Sequence, residues 1–472
     1  MQPQAWDVLT IGGGPGATPG AQFLAAHGKR VAIIEQGLGL GGTCLFEGCI
    51  PSKIYLETAG RLRAIREGAQ FGIVGADYTG LDLARLRERK ARILSQRVIG
   101  ASKSSEALGI TVLQGVADII DSRHVSFAAA GQDPVTLEAE TLIISPGSVS
   151  RELNVPGANG LGVWTSAEAL AFSEIPERLC IIGGGYIGIE LATMYRSFGS
   201  HVHILEEAPR ILLTEDPLVV THLTESWQKV DFGVTIETSI SLTRIDDAGG
   251  AEGHKVVYYQ TAAGLSATLE ADRVLIAVGR EPNTAGLQWS QAGITLGKRG
   301  EVPVNSYYQT SVANIYAPGD VNGHVMLAHA ATRQSLICAQ HILGLETFPR
   351  DLIVPHVVFS SPEIAAVGVD SRALVAHPNF RLTRWRYAQD ARALIVGDEL
   401  GYAQLIWDQE THEVRGLQVV GADAGELVEE VTYLITHHGT VESLAVAIHP
   451  HPTLSEVISE LAMAAWSESQ AL

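Results

Sequence analysis

The chain has 472 residues, 46% of them hydrophobic, with 52 acidic against 33 basic residues and a formal net charge of -19. That length predicts three or four domains with ample core, and the acid surplus argues against nucleic acid, whose binding needs clustered Lys and Arg to displace counterions. No apolar run approaches a membrane span, the opening Met1-Gln2-Pro3-Gln4 shows no leader, and four cysteines without a Cys/His spacing point to no metal and to a reducing cytoplasm.

Asp7 to Ile11 reads as a buried strand. It runs into Gly12-Gly13-Gly14-Pro15-Gly16-Ala17, a helix closed by His27-Gly28, and a second strand, Val31 to Ile34, ending on Glu35. This is the order of a dinucleotide site. Gly12 permits the tight turn, Gly14 lets the backbone approach a pyrophosphate, Ala17 is the third small residue where helix and strand pack, and Glu35 accepts from ribose hydroxyls. Pro19 falls inside the helix, where it is expected to remove a ladder hydrogen bond or bend the axis.

The stretch from Gly41 to Lys53, GGTCLFEGCIPSK, holds two cysteines five apart and is followed by a helix-compatible run from Lys53 to Leu62. A disulfide can close there, and a helix start favours a thiolate. The alternative is a structural staple or two thiols in a turn, yet a long chain in a reducing compartment needs no staple. Lys53 follows Cys49 by one helical turn. A polar helical insertion, Leu81 to Leu108, and short strand-like runs such as Ile110 to Leu113 elaborate this unit, which closes on the strand Thr141 to Ser145 and then Pro146-Gly147.

The pattern recurs with Leu179 to Ile182, Gly183-Gly184-Gly185-Tyr186-Ile187-Gly188, a helix ending at Phe198-Gly199, the strand His201 to Leu205, and Glu206. In both units the acid follows the first glycine by 23 residues, which indicates two dinucleotide-binding domains. The closing strand of the second runs from Arg273 through Ala277 to Gly279-Arg280. Glu206, reinforced by Glu207, suits two free ribose hydroxyls and repels a 2′-phosphate, so NAD is expected over NADP, with Arg210 the one opposing cation.

Further on, Ile315 to Asp320 delivers an acid at a strand end, where it can also be a simple loop cap, and an apolar helix opens with Met326-Leu327-Ala328-His329. From about Asp351 alternating strands (Val357 to Phe359, Tyr402 to Trp407, Leu417 to Val420) and a helix with Leu427, Val431, Leu434 and Ile435 on one face mark a separate α+β domain whose helices can face a second subunit. Near the end, Thr453 and Glu456 fit a capping box. Glu456 can equally orient His451 as a general base, and both readings stay open. Cys180 and Cys338 stand in apolar runs and read as core.

Together these motifs resemble the pyridine nucleotide-disulfide oxidoreductases over essentially the whole chain, most closely the members that oxidise dihydrolipoamide. The resemblance implies an α/β fold of two Rossmann-like dinucleotide-binding domains plus a C-terminal α+β dimerisation domain. Its divisions are an FAD-binding domain with a helical insertion (1–150), an NAD-binding domain (151–280), a central domain completing the FAD site (281–350) and an interface domain (351–472). It implies FAD at Gly12, Gly14, Gly16, Ala17, Glu35, Gly42, Thr43, Lys53, Gly115, Ala117, Gly147, Asp320, Met326, Leu327 and Ala328, with Lys53 beside the flavin and paired with Glu190. NAD is implied at Gly183, Gly185, Tyr186, Ile187, Gly188, Glu206, Ala277, Gly279 and Arg280.

The resemblance further implies that His451 and Glu456 reach the Cys44–Cys49 disulfide of the other subunit, which makes the homodimer obligatory. Electrons would pass from a lipoylated carrier protein to Cys44 and Cys49 and through FAD to NAD+, with His451 taking the substrate thiol proton. The carrier would belong to a 2-oxo acid dehydrogenase complex, to the glycine cleavage system, or to sulfur metabolism as a lipoate-binding protein. A mercuric-reductase-like reading lacks its C-terminal thiol pair, and a glutathione-reductase-like one fits Ile50 to Lys53 and Glu206 less well. A flavin-bearing scaffold without turnover is opposed by the complete set of redox groups. Two departures from the family pattern stand out: Phe46 replaces the usual Asn, and Ser145-Pro146-Gly147 replaces Ala-Thr-Gly, with Pro146 offering no N–H.

Overall fold

Hydrophobic runs without a polar face, such as Val31 to Ile34 and Leu142 to Ile144, need cover on both sides, which a parallel sheet flanked by helices provides. The computed structural model, which describes residues 5–229, 232–249, 253–346 and 352–471, buries these side chains almost completely. The N-terminal four residues, on which the reading of no leader rested, and the division at 350/351 lie outside the described residues.

In the first unit β1 (Trp6–Ile11), β2 (Val31–Glu35), β3 (Thr111–Gln114), β4 (Val116–Ile119), β5 (His124–Ala128) and β6 (Val135–Ile144) form one sheet in the order β3-β2-β1-β6-β5-β4. The first four of that order run parallel, β4 and β5 return antiparallel, and the short strand Ile315–Tyr316 adds parallel to β6. The chain then passes through β7 (Ser148–Ser150) and β8 (Val163–Trp164) to β9 (Arg178–Ile182), β10 (His201–Leu205) and β11 (Val234–Glu237). With the strand Arg273–Ile276 these make a parallel sheet in the order β11-β10-β9, then Arg273–Ile276, then β8. An antiparallel three-stranded sheet of Ser241–Asp247, Lys255–Gln260 and Ser266–Ala271, which the sequence reading did not separate, falls in chain order between β11 and Arg273–Ile276, as β4 and β5 fall between β3 and β6. Register repeats as well: Ile11 lies beside Ile34 and Ile144, and Ile182 beside Leu205 and Ile276.

Four helices follow in the first unit: α1 (Thr18–Ala26), α2 (Gly42–Phe46), α3 (Cys49–Glu67) and α4 (Leu83–Ala107). The expectation for Pro19 is corrected here. It occupies the first turn of α1, where an N–H has no partner within the helix, so nothing is broken. Pro51 is likewise within the first turn of α3, which lets that helix begin at Cys49.

The C-terminal unit is an antiparallel five-stranded sheet running His356–Val358, Glu363–Gly368, Val414–Gly421, Tyr402–Asp408, Phe380–Arg386. Helix Ala424–Thr436 buries Leu427, Val428 and Val431 on it, with Leu434 and Ile435 partly covered, and helix Glu456–Ala471 buries Val457, Ile458, Leu461 and Ala465. Each fully buried Val, Leu or Ile among them contributes about 1.5–3 kcal/mol. Among the described residues no helix is long and apolar enough to cross a membrane, and no group of three or more His, Cys, Asp or Glu is placed to hold a metal.

Candidate active site

Both glycine turns are built alike, which is visible atom by atom. Gly12 has φ +100 and Gly183 φ +104, and a Cβ would lie 2.3 Å from the Ser145 carbonyl oxygen in the first and 2.5 Å from that of Ala277 in the second. Glycine is therefore required by both backbone angle and space. The strand-end acids repeat too. Glu35 accepts from the N–H groups of Gly13 (2.7 Å) and Gly37 (2.6 Å), and Glu206 from those of Gly184 (2.6 Å) and Ala208 (2.7 Å). Each carboxylate is thus fixed at its turn before any ligand arrives.

Gly14 and Gly42 approach so closely that a Cβ on Gly42 would lie 2.9 Å from the Gly14 Cα, and one on Gly16 would lie 2.3 Å from Ser145 Oγ. Ala17 is fully buried. Gly115 bonds through its N–H to the Glu35 carbonyl (2.9 Å), Ala117 is buried on β4, Gly147 has φ +79, and Thr43 is exposed on α2. In the second turn the helix Tyr186–Phe198 starts at once, capped by Gly185, and Gly188 leaves no room for a side chain over the Gly183 carbonyl.

Cys44 lies in α2 and Cys49 is the first residue of α3, both partly buried and both free thiols that hydrogen-bond each other. The hydrogen bond from Cys44 lowers the Cys49 pKa to about 7 against the opposing effect of burial, and the Lys53 ammonium helps. The same bond, with burial, drives Cys44 strongly upward. The helix N-terminus adds a further preference for negative charge at Cys49. Cys180 and Cys338 are fully buried, as core residues.

One turn into α3, Lys53 Nζ donates to Glu190 Oε2 at 2.7 Å, joining the redox helix to the helix of the second glycine turn. One partner, Phe359, was invisible in the sequence: its N–H donates to Glu190 Oε1 (3.2 Å), and its ring lies 4.3 Å from Lys53 Nζ.

Asp320 is held by a second residue that sequence reasoning missed. Ser148 Oγ donates to Asp320 Oδ2 (2.6 Å) and accepts from Arg280 Nε (2.7 Å), while Arg280 also donates to the Ser148 carbonyl oxygen (2.6 Å). Burial pushes the Asp320 carboxyl up, and Ser148 and Arg280 oppose it. Arg280, expected with the second nucleotide, thus bonds Ser148 and faces Asp320, the acid expected at the first. The strand Arg280–Pro282 pairs with β7 and carries the guanidinium across. Ser148 directly follows the Ser-Pro-Gly departure, the one local signal that could have found it. Met326, Leu327 and Ala328 lead from Asp320 into the helix Ala328–Ile342 and are half-buried.

At the second turn the Tyr186 hydroxyl donates to Glu215, which also takes His356 Nε2 at 3.0 Å, and the Tyr186 and His356 rings stack. Arg210 is committed to the carbonyls of Leu212, Leu213 and Glu215, and so is not a free phosphate receptor. Ala277 and Gly279 (φ +112) flank the turn.

The C-terminal loop shows the glutamate half of the capping box together with a His451–Glu456 pair. Glu456 accepts from the Thr453 N–H (2.9 Å) and from His451 Nδ1 (3.0 Å), and these bonds, the backbone one first, lower its pKa. His451 remains 72% exposed, its Nδ1 bonded to Glu456, and no hydrogen bond among the described residues joins it to Cys44 or Cys49 of its own chain.

Residues 6–335 match the pyridine nucleotide-disulphide oxidoreductase family and residues 354–462 its dimerisation domain. The dihydrolipoyl dehydrogenase of Bacillus subtilis is 34% identical over 452 residues, covering 95% of this chain and 96% of its own. That of Geobacillus stearothermophilus is 33% identical, covering 97% and 95%. Among solved structures, the HOCl-induced flavoprotein disulfide reductase RclA of Escherichia coli, in a Cu(II) complex, is similar with a TM-score of 0.87 and 28% identity over 98% of this chain and 99% of its own. LpdA of Mycobacterium tuberculosis is similar with a TM-score of 0.88 and 26% identity over 97% and 99%.

Proposed function

The chain belongs to the pyridine nucleotide-disulphide oxidoreductase family, and from that premise we propose that it is a dihydrolipoyl dehydrogenase, a homodimer that oxidises a carrier-bound dihydrolipoyl group and reduces NAD+. The observation that carries this reading is the pair Cys44 and Cys49 at a helix start, with the Cys49 pKa lowered and the Lys53–Glu190 ion pair one turn on. Near-full-length similarity to named dihydrolipoyl dehydrogenases supports it. A dithiol that must cycle suits a reducing cytoplasm.

The residues fit both cofactors. The Gly14–Gly42 cradle, the two-amide clamp on Glu35 and the half-buried Asp320 would hold FAD, and the matching clamp on Glu206 with the Gly183–Gly188 turn would hold NAD. When bound, FAD supplies the two-electron acceptor for the dithiol and NAD+ the final hydride acceptor.

The chain's own groups perform the thiol chemistry. In the oxidised enzyme Cys44 and Cys49 are joined. His451 of one subunit, oriented through Nδ1 by Glu456, takes a proton from one substrate thiol of the site opposite. The resulting thiolate attacks Cys44 Sγ, the Cys44–Cys49 bond breaks, and Cys49 leaves as a thiolate. The second substrate sulfur then attacks the first, closing the cyclic disulfide and expelling Cys44, which takes that thiol's proton. Lys53 holds the Cys49 thiolate charged, and Glu190 holds Lys53 in place. Purified holoprotein should reduce NAD+ with dihydrolipoamide, read as NADH absorbance. No turnover and no change in thiol titre on reduction would support a scaffold instead.

A further inference from the structure

Helix α4 (Leu83–Ala107) carries seven of the chain's 33 Lys and Arg residues against two acids, Glu88 and Glu106, in a protein whose net charge is -19. Its inward cations are accounted for: Lys90 donates to the Leu170 carbonyl (2.8 Å) and Arg87 to those of Phe172 and Ser173. The outward ones are not. Arg85, Arg89 and Arg92 follow one another at i, i+4 and i+7, all exposed, with exposed Lys103 further along the same face. None of the four forms an ion pair among the described residues. Glu88, between Arg85 and Arg92, is the one acid within helical reach of the three arginines on α4, so the face keeps a net positive charge on an acidic molecule and suits a counter-charge from outside.

The location gives the stripe a purpose. α4 packs against α2, which carries Cys44, and along α3, which carries Cys49 and Lys53. Val98 of α4 sits against Gly39, just before the Gly41–Cys44 turn, and Lys90 Nζ is 5.5 Å from the ring of Tyr55, two residues past Lys53. The cations thus line the side of the redox helices with their charges facing solvent.

We propose that the Arg85–Arg89–Arg92 face of α4 is the docking surface for the acidic protein domain that delivers the dithiol, steering it to the Cys44–Cys49 pair of the same subunit. The inference rests on the dihydrolipoyl dehydrogenase reading for the identity of the delivered group. Electrostatic steering of this kind raises association by about 10- to 1000-fold and fades as added salt shortens the screening length from about 10 Å at 0.1 M to about 3 Å at 1 M.

The test compares two dihydrolipoyl-lysine peptides, one flanked by glutamates and one by lysines, with uncharged dihydrolipoamide as reference. Wild-type holoenzyme should favour the glutamate peptide in kcat/KM by about tenfold or more at low salt, with the preference lost at 1 M NaCl. The Arg85→Gln/Arg89→Gln/Arg92→Gln variant should bring the two peptides level and leave dihydrolipoamide turnover unchanged, and the triple Lys variant should keep the preference. A preference that survives the Gln substitutions overturns the proposal. So does a Gln variant that sediments as a monomer, since the stripe would then be covered by the acidic second copy. Anisotropy of a labelled, oxidised glutamate peptide reads the surface without turnover, so failure to oxidise dihydrolipoamide would count against the activity and leave the docking face to stand or fall on binding.

Discussion

Replacing Lys53 by Met removes a positive charge one helical turn from the Cys49 sulfur. Residues so spaced have Cβ atoms about 5–6 Å apart, and two unit charges about 6 Å apart at an effective dielectric of about 20 interact by about 3 kcal/mol. At about 1.4 kcal/mol per unit that is about 2 pKa units, reduced somewhat because the ammonium is 31% exposed. The hydrogen bond from Cys44, the larger contributor, persists in the variant. Lys53→Met should therefore raise the Cys49 pKa from about 7 by about 1–2 units, so that the thiolate, which forms as pH climbs through the pKa, is largely lost at pH 7. Glu190→Gln takes away the opposing charge 2.7 Å from Lys53 and should move the same pKa down. Iodoacetamide alkylation of the reduced protein as a function of pH reads the midpoint directly, because Cys180 and Cys338 are fully buried and silent. A Lys53→Met midpoint still near 7, or a Glu190→Gln midpoint shifted upward, would refute the electrostatic account.

His451→Gln should retain its flavin and lose about 10²- to 10⁴-fold in dihydrolipoamide turnover, and near-normal rates would remove it from the chemistry. Ser148→Ala severs the bridge from Arg280 to Asp320, at a cost of about 1.5–3 kcal/mol for charge-assisted bonds. FAD should bind about 10- to 100-fold more weakly by flavin fluorescence. Because the Asp320 pKa, already raised by burial, then rises further, flavin release on acidification should begin at a higher pH than in wild type; an unaltered release curve contradicts the bridge. Glu206→Gln should improve the use of NADP relative to NAD by about tenfold, about 1.4 kcal/mol, in side-by-side initial rates, and a wild-type preference for NADP would overturn the part given to that carboxylate.

What could be read from residues alone was what is local. The glycine turns, the strand-end acids and the cysteine spacing are each written within a few dozen residues, and their geometry follows from turn and helix-terminus chemistry wherever it occurs. The antiparallel strands β4 and β5 and the three-stranded sheet of the second unit carry no such signature, and the strand-like run Ile110 to Leu113 turned out to be β3 of the parallel sheet. Long-range partners were out of reach: Phe359 meets Lys53 across more than three hundred residues of chain and Glu190 across 169, and Glu215 meets His356 across 141. The bonds of Arg280 to Ser148 could not be foreseen, because its place in the second unit's closing strand is local information, whereas its reach to Ser148 depends on a two-stranded pairing between units. Pro19 misled because the start of α1 lies later than the first glycine suggests, moving the proline into a permissive turn.

The exposed ring of His451, idle against its own chain's sulfurs, has a genetic corollary once two chains share each reaction centre. A His451→Gln chain still offers intact sulfurs, and a Cys44→Ser chain still offers an intact imidazole. Each variant alone assembles only defective centres. Co-expressed, they should form hybrids in which one centre unites both lesions and the other is wholly wild type, so two dead parents yield a living heterodimer at half the normal output per molecule.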